Sequence, residues 1–402
     1  MSIQDYTYHI PEEKIATHPL PERDTSKLLI YQEGNIRAAQ YRQLADYLPP
    51  GSLLVFNNTK VVEARLLFKK PSGGLIEIFC LEPHEQYPDI SAAMRQKEKV
   101  WWNCLVGGAS KWKPGQLLEK KVPAGDRELL LRAAFVKKNT GSFTIELSWS
   151  PGDLCFSDVL HQCGAIPLPP YIKRAVEKDD SVRYQTVYAK TDGSVAAPTA
   201  GLHFTDEVFS SLEAKQIKKS FLTLHVGAGT FKPVKSETMQ GHEMHAEWFD
   251  VPKSVIETLL QAKGHQVVAV GTTSLRTLES LYWIGEKFIN GKEQTELGQW
   301  EAYDPAAGQT DATRALQAVL HYLEKNRQER LIGKTQLLVA PGYRFRIIDG
   351  LITNFHQPQS TLLLLVAALV GDDWKKIYGY ALEHDFRFLS YGDGCLLWKK
   401  KD

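Results

Sequence analysis

The chain of 402 residues holds five cysteines, Cys80, Cys104, Cys155, Cys163 and Cys395, scattered and never spaced as CxxC. That pattern speaks against a disulfide framework or a zinc knuckle and for a reducing compartment. Long apolar runs are also missing. The longest, "LLLLVAALV" at 362–370, falls far short of the ~20 residues that span a bilayer, and reads as a buried helix with Ser360 and Thr361 in front as capping residues. The first twenty residues carry early acids and prolines without an apolar centre, so no secretory signal is expected. Neither charge dominates. Net charge is +1, which excludes a uniformly basic nucleic-acid binder. No glycine-rich GxGxxG loop joins a strand to a helix, which weakens any dinucleotide or conventional methyltransferase reading.

What is present is unevenly distributed. Residues 60–150 carry 15 Lys and Arg against 10 Asp and Glu, a local excess of +5. The same stretch contains six short β-type runs, from "KVVEARLLFKK" to "GSFTIELSW", separated by Pro, Gly and charged turns. Around it, strand and helix patterns mix. "HQVVAVGTTSLRTLESLYWIG" (265–285) predicts a buried strand, a small-residue turn and an amphipathic helix; 311–325 predicts a second helix capped by Asp311. "QLLVA" (336–340) predicts a strand, and the Asp349-Gly350 pair in "RIIDGLIT" predicts a hairpin. The simplest architecture is an α/β domain carrying an all-β insertion.

Five loops concentrate chemistry. "GSVAAPTAGLHFT" (193–205) is almost free of bulk before His203 and Phe204, so it suits either close backbone approach to a ligand or a tight crossover. "LHVGAGTFKP" (224–233) repeats the idea. In "GHEMHAE" (241–247), His242, His245 and Glu247 lack HExxH spacing; a metal site, a histidine–carboxylate acid–base pair and a surface loop all stay open. "GTTSLR" (271–276) offers free N–H groups at a helix start, with Arg276 calling for an anion or a salt bridge. "NFHQPQST" (354–361) presents His356 at an element end or in the core. Five of the twelve histidines thus lie in or beside loops of small and hydroxyl residues, a density that favours an active site.

These loops, together with "HPLPERDTSKLLI", "GSLLVFNNTKVVEARL" and "FRFLSYGDGCLL", closely resemble the S-adenosylmethionine:tRNA ribosyltransferase-isomerase family of queuosine biosynthesis, from about residue 5 to 397. The resemblance implies a mixed α/β main domain (1–59 and 156–402) with an inserted small six-stranded β-barrel (60–155). It implies transfer and isomerisation of the ribosyl group of S-adenosylmethionine onto a 7-aminomethyl-7-deazaguanine at the tRNA wobble position, releasing adenine and methionine. The rival is a diverged S-adenosylmethionine-dependent tRNA-modifying enzyme such as a methyltransferase. No resident cofactor and no metal are expected, since S-adenosylmethionine is a substrate. A cytoplasmic enzyme, monomer or weak dimer, acting on tRNA with a GUN anticodon and away from membranes, follows from the same likeness.

For the site, the resemblance points to His203, His245 and Glu247 as catalytic. Ala197, Thr199, Gly201, Phe204, Phe231, Thr272, Thr273, Ser274 and Arg276 would hold S-adenosylmethionine. Phe204, Phe231 or Tyr343 would face the sulfonium. Arg23, Asn57, Lys60, Arg65, Asn354 and His356 would meet the tRNA or its base. The sequence departs from the family pattern at Gln359, where a basic residue is expected, at Gly394-Cys395, and in a longer 284–335 segment.

Overall fold

The computed structural model describes residues 2–70, 72–113, 115–227 and 239–400. A ten-stranded mixed sheet forms the centre of the main body, in the order Glu296–Leu297, Arg330–Thr335, Glu247–Pro252, Lys218–Leu224, Leu53–Asn57, Val267–Val270, Gly350–Asn354, Gly394–Trp398, Lys27–Gln32, Asn35–Gln40. Four neighbours in the middle, from Lys218–Leu224 to Gly350–Asn354, run parallel. Strands buried on both faces need apolar side chains at every position, which is what "LLVF" and "VVAV" supply. Alternation then splits Leu53–Asn57 between two cores. Leu53 and Val55 face one layer, Leu54 and Phe56 the other.

Thr272–Ile289 covers the first layer through buried Leu275, Leu278, Leu281 and Tyr282. Ala312–Lys325, capped by the Asp311 side chain, packs on it. The two helices approach closely at Gly285, where a Cβ would lie 2.1 Å from the Ala315 carbonyl oxygen. The apolar helix Thr361–Val370 is buried, starts on the Ser360 hydroxyl and ends at Gly371 with φ 65°. Among the described residues no helix is long and apolar enough to cross a membrane.

The six β-type runs fold into a curled antiparallel half-barrel that has seven strands where six were expected, in the order Gly164–Ala165, Arg65–Lys69, Leu75–Pro83, Lys99–Gly107, Phe143–Ser150, Arg127–Lys138, Leu118–Ala124. Its concave face holds a separate core that includes Leu66, Ile78, Trp102, Leu131 and Leu147. The first run divides: Thr59–Val61 pairs in parallel with Thr191–Ser194, outside this sheet.

Two sequence expectations fail here. "QLLVA" forms no strand, because side chains satisfy its backbone instead: Tyr303 Oη donates to Leu338 O and accepts from Ala340 N, and Arg276 Nε donates to Leu337 O. Asp349-Gly350 makes no hairpin either. The Asp349 carboxylate accepts from Val267 N, and Gly350–Asn354 enters the sheet parallel to Val267–Val270.

Candidate active site

Among the described residues, the motif loops singled out in the sequence meet one edge of the main sheet. Asn57, His225, Gly271 and Asn354 end or directly follow the four parallel strands. Glu247–Pro252 and Gly394–Trp398 are antiparallel to Lys218–Leu224 and Gly350–Asn354, the outer members of that parallel group, so the loops preceding them reach the same edge. Ligands of open α/β sheets bind outside the carboxyl ends of parallel strands.

His203 sits at this edge, 4% exposed, at the end of the 3₁₀ turn Thr199–His203. Ser26 Oγ donates to Arg23 O at 2.9 Å, so His203 Nδ1–H donates to Ser26 Oγ at 2.8 Å. Nε2 is then the lone-pair nitrogen, facing Asn354 Nδ2 at 3.4 Å. Asn354 Oδ1 accepts from Thr199 Oγ1 at 2.7 Å, which ties the small-residue loop to the "NFHQ" loop. Burial holds the imidazole pKa down to about 3, so it is neutral near pH 7. Tyr41 covers one ring face. Its hydroxyl fits because residue 394 is glycine: a Cβ there would lie 2.2 Å from it. The departure at Gly394 thereby acquires a packing reason.

The "GHEMHAE" loop does not pair its histidine with its carboxylate. Glu247 is buried and bonds Arg276 Nη1 through Oε2, while Oε1 accepts from Gly227 N at 3.4 Å. His245 is exposed. Burial, aided by His245, lowers the pKa of His242. Among the described residues no group of three or more His, Cys, Asp or Glu is placed to hold a metal ion. Two amide side chains fix the loop's backbone, Gln299 at His242 O (2.6 Å) and Met244 N (2.9 Å), and Gln336 at Met244 O (3.0 Å).

At the helix start, Gly271 has φ 88° and offers no side-chain cap. Ser274 Oγ donates to Val270 O, and Thr273 Oγ1 accepts from Asn57 Nδ2 at 3.2 Å. Thr272 is half-buried. Asn57 is fully buried; its amide also binds Leu224 N and O and Thr59 N, so it clamps strand ends together.

Other expected residues have different surroundings. Phe204 is fully buried against Phe56, Phe209 and Tyr41, in the core and away from any ligand face. Tyr343 is buried too, donating to Glu279 Oε2 and accepting from Trp283 Nε1. Phe231 lies outside the described residues. Ala197 is buried, and Gly201 packs so tightly that a Cβ would lie 1.9 Å from Tyr188 Oη. Thr199 is the half-exposed member of this run. Arg23 donates to the carbonyls of Gln185, Val182 and Leu202, strapping the segment before His203. His356 is buried with Nε2 2.9 Å from Thr353 Oγ1, and burial lowers its pKa to about 3. Lys60 and Arg65 are half-exposed, beside Asp192 and Glu77. Tyr41, Ser26 and Gln299 carried no sequence signal, since their partners at the site lie 55 to 177 positions away.

A family model described as queuosine biosynthesis protein matches residues 3–397. An S-adenosylmethionine:tRNA ribosyltransferase-isomerase from Halothermothrix orenii is 38% identical, over 99% of this chain and 100% of its own length. One from Magnetococcus marinus is 37% identical, over 98% of this chain and 94% of its own. The crystal structure of an S-adenosylmethionine tRNA ribosyltransferase from Thermotoga maritima is 29% identical, covers 98% of this chain and 99% of that one, and superposes with a TM-score of 0.46. With a family match over nearly its whole length and relatives of the same extent, the chain belongs to the queuosine biosynthesis protein family.

Proposed function

We infer that the protein is an S-adenosylmethionine:tRNA ribosyltransferase-isomerase, which moves the ribosyl group of S-adenosylmethionine onto the aminomethyl-deazaguanine of tRNA, releases adenine and methionine, and isomerises the ribose to give epoxyqueuosine-tRNA. The observation that supports this reading best is the meeting of small, hydroxyl and histidine-bearing loops at one sheet edge. A proton beside a sulfonium is acidified by the positive sulfur, so a neutral imidazole with a defined lone pair suffices to begin the reaction. His203 Nε2 is assigned that role, with Asn354 and Ser26 fixing the ring. The exposed His245 is assigned proton exchange with solvent. Thr199 and the open helix start at Thr272–Thr273 are assigned to S-adenosylmethionine, the helix N–H groups favouring an anionic end.

Arg23 and Asn57, committed to backbone groups, position these loops rather than the base. The tRNA side belongs to the half-barrel, read as the inserted barrel of residues 60–155. Its +5 excess, with Lys60 and Arg65 at the junction, suits the phosphates of an anticodon arm bearing GUN, in the cytoplasm. The test uses S-adenosylmethionine labelled in the ribose or in the methyl group, with tRNA carrying the aminomethyl base. Ribose label in tRNA with free adenine and methionine is the expected result. Methyl label in tRNA overturns the reading.

A further inference from the structure

The ion pair between Glu247 and Arg276 is incomplete in a way that ordinary structural pairs are not. Arg276 lies in the second turn of Thr272–Ile289, and long side chains on a helix fold back toward its N-terminus. Its guanidinium therefore stands beside the uncapped helix start. The side chain is 9% exposed. Nε donates to Leu337 O at 3.0 Å and Nη1 to Glu247, yet Nη2 is buried without a partner among the described residues. Folded proteins rarely leave a buried donor unmet. On the other side, Glu247 Oε1 accepts one long bond, 3.4 Å from Gly227 N, so a carboxylate with room for several donors keeps spare capacity.

One unmet donor and one under-used acceptor, held side by side by a mutual bond, are the complement of an amino-acid zwitterion. We propose that the Glu247–Arg276 pair is the subsite for the α-amino-acid end of S-adenosylmethionine. Arg276 Nη2 and the N–H groups at Thr272–Thr273 take the α-carboxylate; Glu247 Oε1 takes the α-ammonium. The inference rests on S-adenosylmethionine being the substrate. It moves Glu247 from proton transfer to recognition. The pair is neutral as a unit, so it matches a zwitterion and leaves a lone ammonium or a lone carboxylate with an unpaired counterpart.

The wild-type enzyme tests this directly, by ribosyl transfer to tRNA from S-adenosylmethionine, its decarboxylated form and its deaminated form. Each analogue is expected to lose about 30- to 100-fold in kcat/KM, mostly through KM, the range for one charge-assisted hydrogen bond left unmade in a buried site. Equal use of the decarboxylated form overturns the proposal. No ribosyl transfer from S-adenosylmethionine itself is a different result, and removes the functional reading instead. Arg276→Lys keeps a cation against Glu247 but loses the planar fork. It is expected to bring the preference for S-adenosylmethionine over the decarboxylated form toward unity, because the loss falls mainly on the substrate that carries the carboxylate. An equal loss on both substrates marks the pair as structural and also overturns the proposal.

Discussion

The rings of Tyr41 and His203 lie face to face, their centroids 4.2 Å apart and their planes 18° from parallel. Sealed in this way, His203 rests neutral near pH 7, and two other buried histidines share its condition. Burial lowers the pKa of His203 and His356 to about 3 and that of His225 to about 4, against about 6.5 in an unfolded chain. Between about pH 4 and 6.5 the unfolded chain therefore binds three protons that the native one refuses. Their stabilising contribution is complete above about pH 6.5 and is lost as pH falls, at up to about 4 kcal/mol per pH unit for three protons. Urea titrations from pH 7.5 to 4.5 should show this slope. His356→Gln should flatten it by about one third; a slope unchanged by that substitution contradicts the assignment.

Small residues before His203 invite a ligand reading, but the packing around them is already full. A Cβ on Gly201 would lie 1.9 Å from Tyr188 Oη and 2.9 Å from Thr186 Cγ2. Gly201→Ala should destabilise the protein by about 1–3 kcal/mol through overpacking, read as a lower melting temperature. Tyr188→Phe removes the obstructing hydroxyl and should recover part of the loss. An alanine variant as stable as the parent would show that the loop has slack, and so room for a ligand there.

Local signals told the truth where the interaction itself was local. Asp311 and Ser360 cap the helices they precede, and each of the six β-type runs formed strand. Signals that depend on a distant partner did not. Nothing near Asp349 announces that its carboxylate will bind Val267 N, 82 positions away, and turn an apparent hairpin into a parallel strand. Nothing near Glu247 announces Arg276 in place of His245. Phe204 follows the key histidine in sequence, yet the 3₁₀ turn ends at His203 and the extended residue after it enters the core beside Phe56. Chain spacing listed the members of the edge cluster; strand polarity decided which of them face one another.

Asn354 controls the lone pair of His203, and a single-atom change exposes that control. In Asn354→Asp the acceptor for Thr199 Oγ1 is kept, while the donor facing Nε2 becomes a carboxylate oxygen. An opposite charge at about 3.4 Å favours the imidazolium. The pKa of His203 should rise, and the acid limb of the kcat–pH profile should move upward by at least about one unit. Turnover in acidic buffer should fall as the base becomes protonated, while neutral-pH turnover changes little. An acid limb that stays in place would remove His203 from proton transfer.

The 284–335 segment reaches the site through Gln299. Gln299 donates to His242 O and accepts from Met244 N, treating the loop's backbone as a neighbouring strand would. Residues 242–246 have no ladder of their own, so these bonds and the one from Gln336 set where His245 stands. Each net bond is worth about 1 kcal/mol, enough to loosen a loop but too little to unfold the chain. In Gln299→Ala the amide of Met244 should exchange with solvent at least about tenfold faster, while the melting temperature changes by only a few degrees. If His245 exchanges protons with solvent during turnover, kcat should drop and KM for tRNA should hold. Gln299→Glu keeps the acceptor for Met244 N and loses the donor to His242 O, so its kcat should fall between the two. A Gln299→Ala enzyme with faster exchange but full kcat would detach this loop from the chemistry and leave the segment a purely structural role.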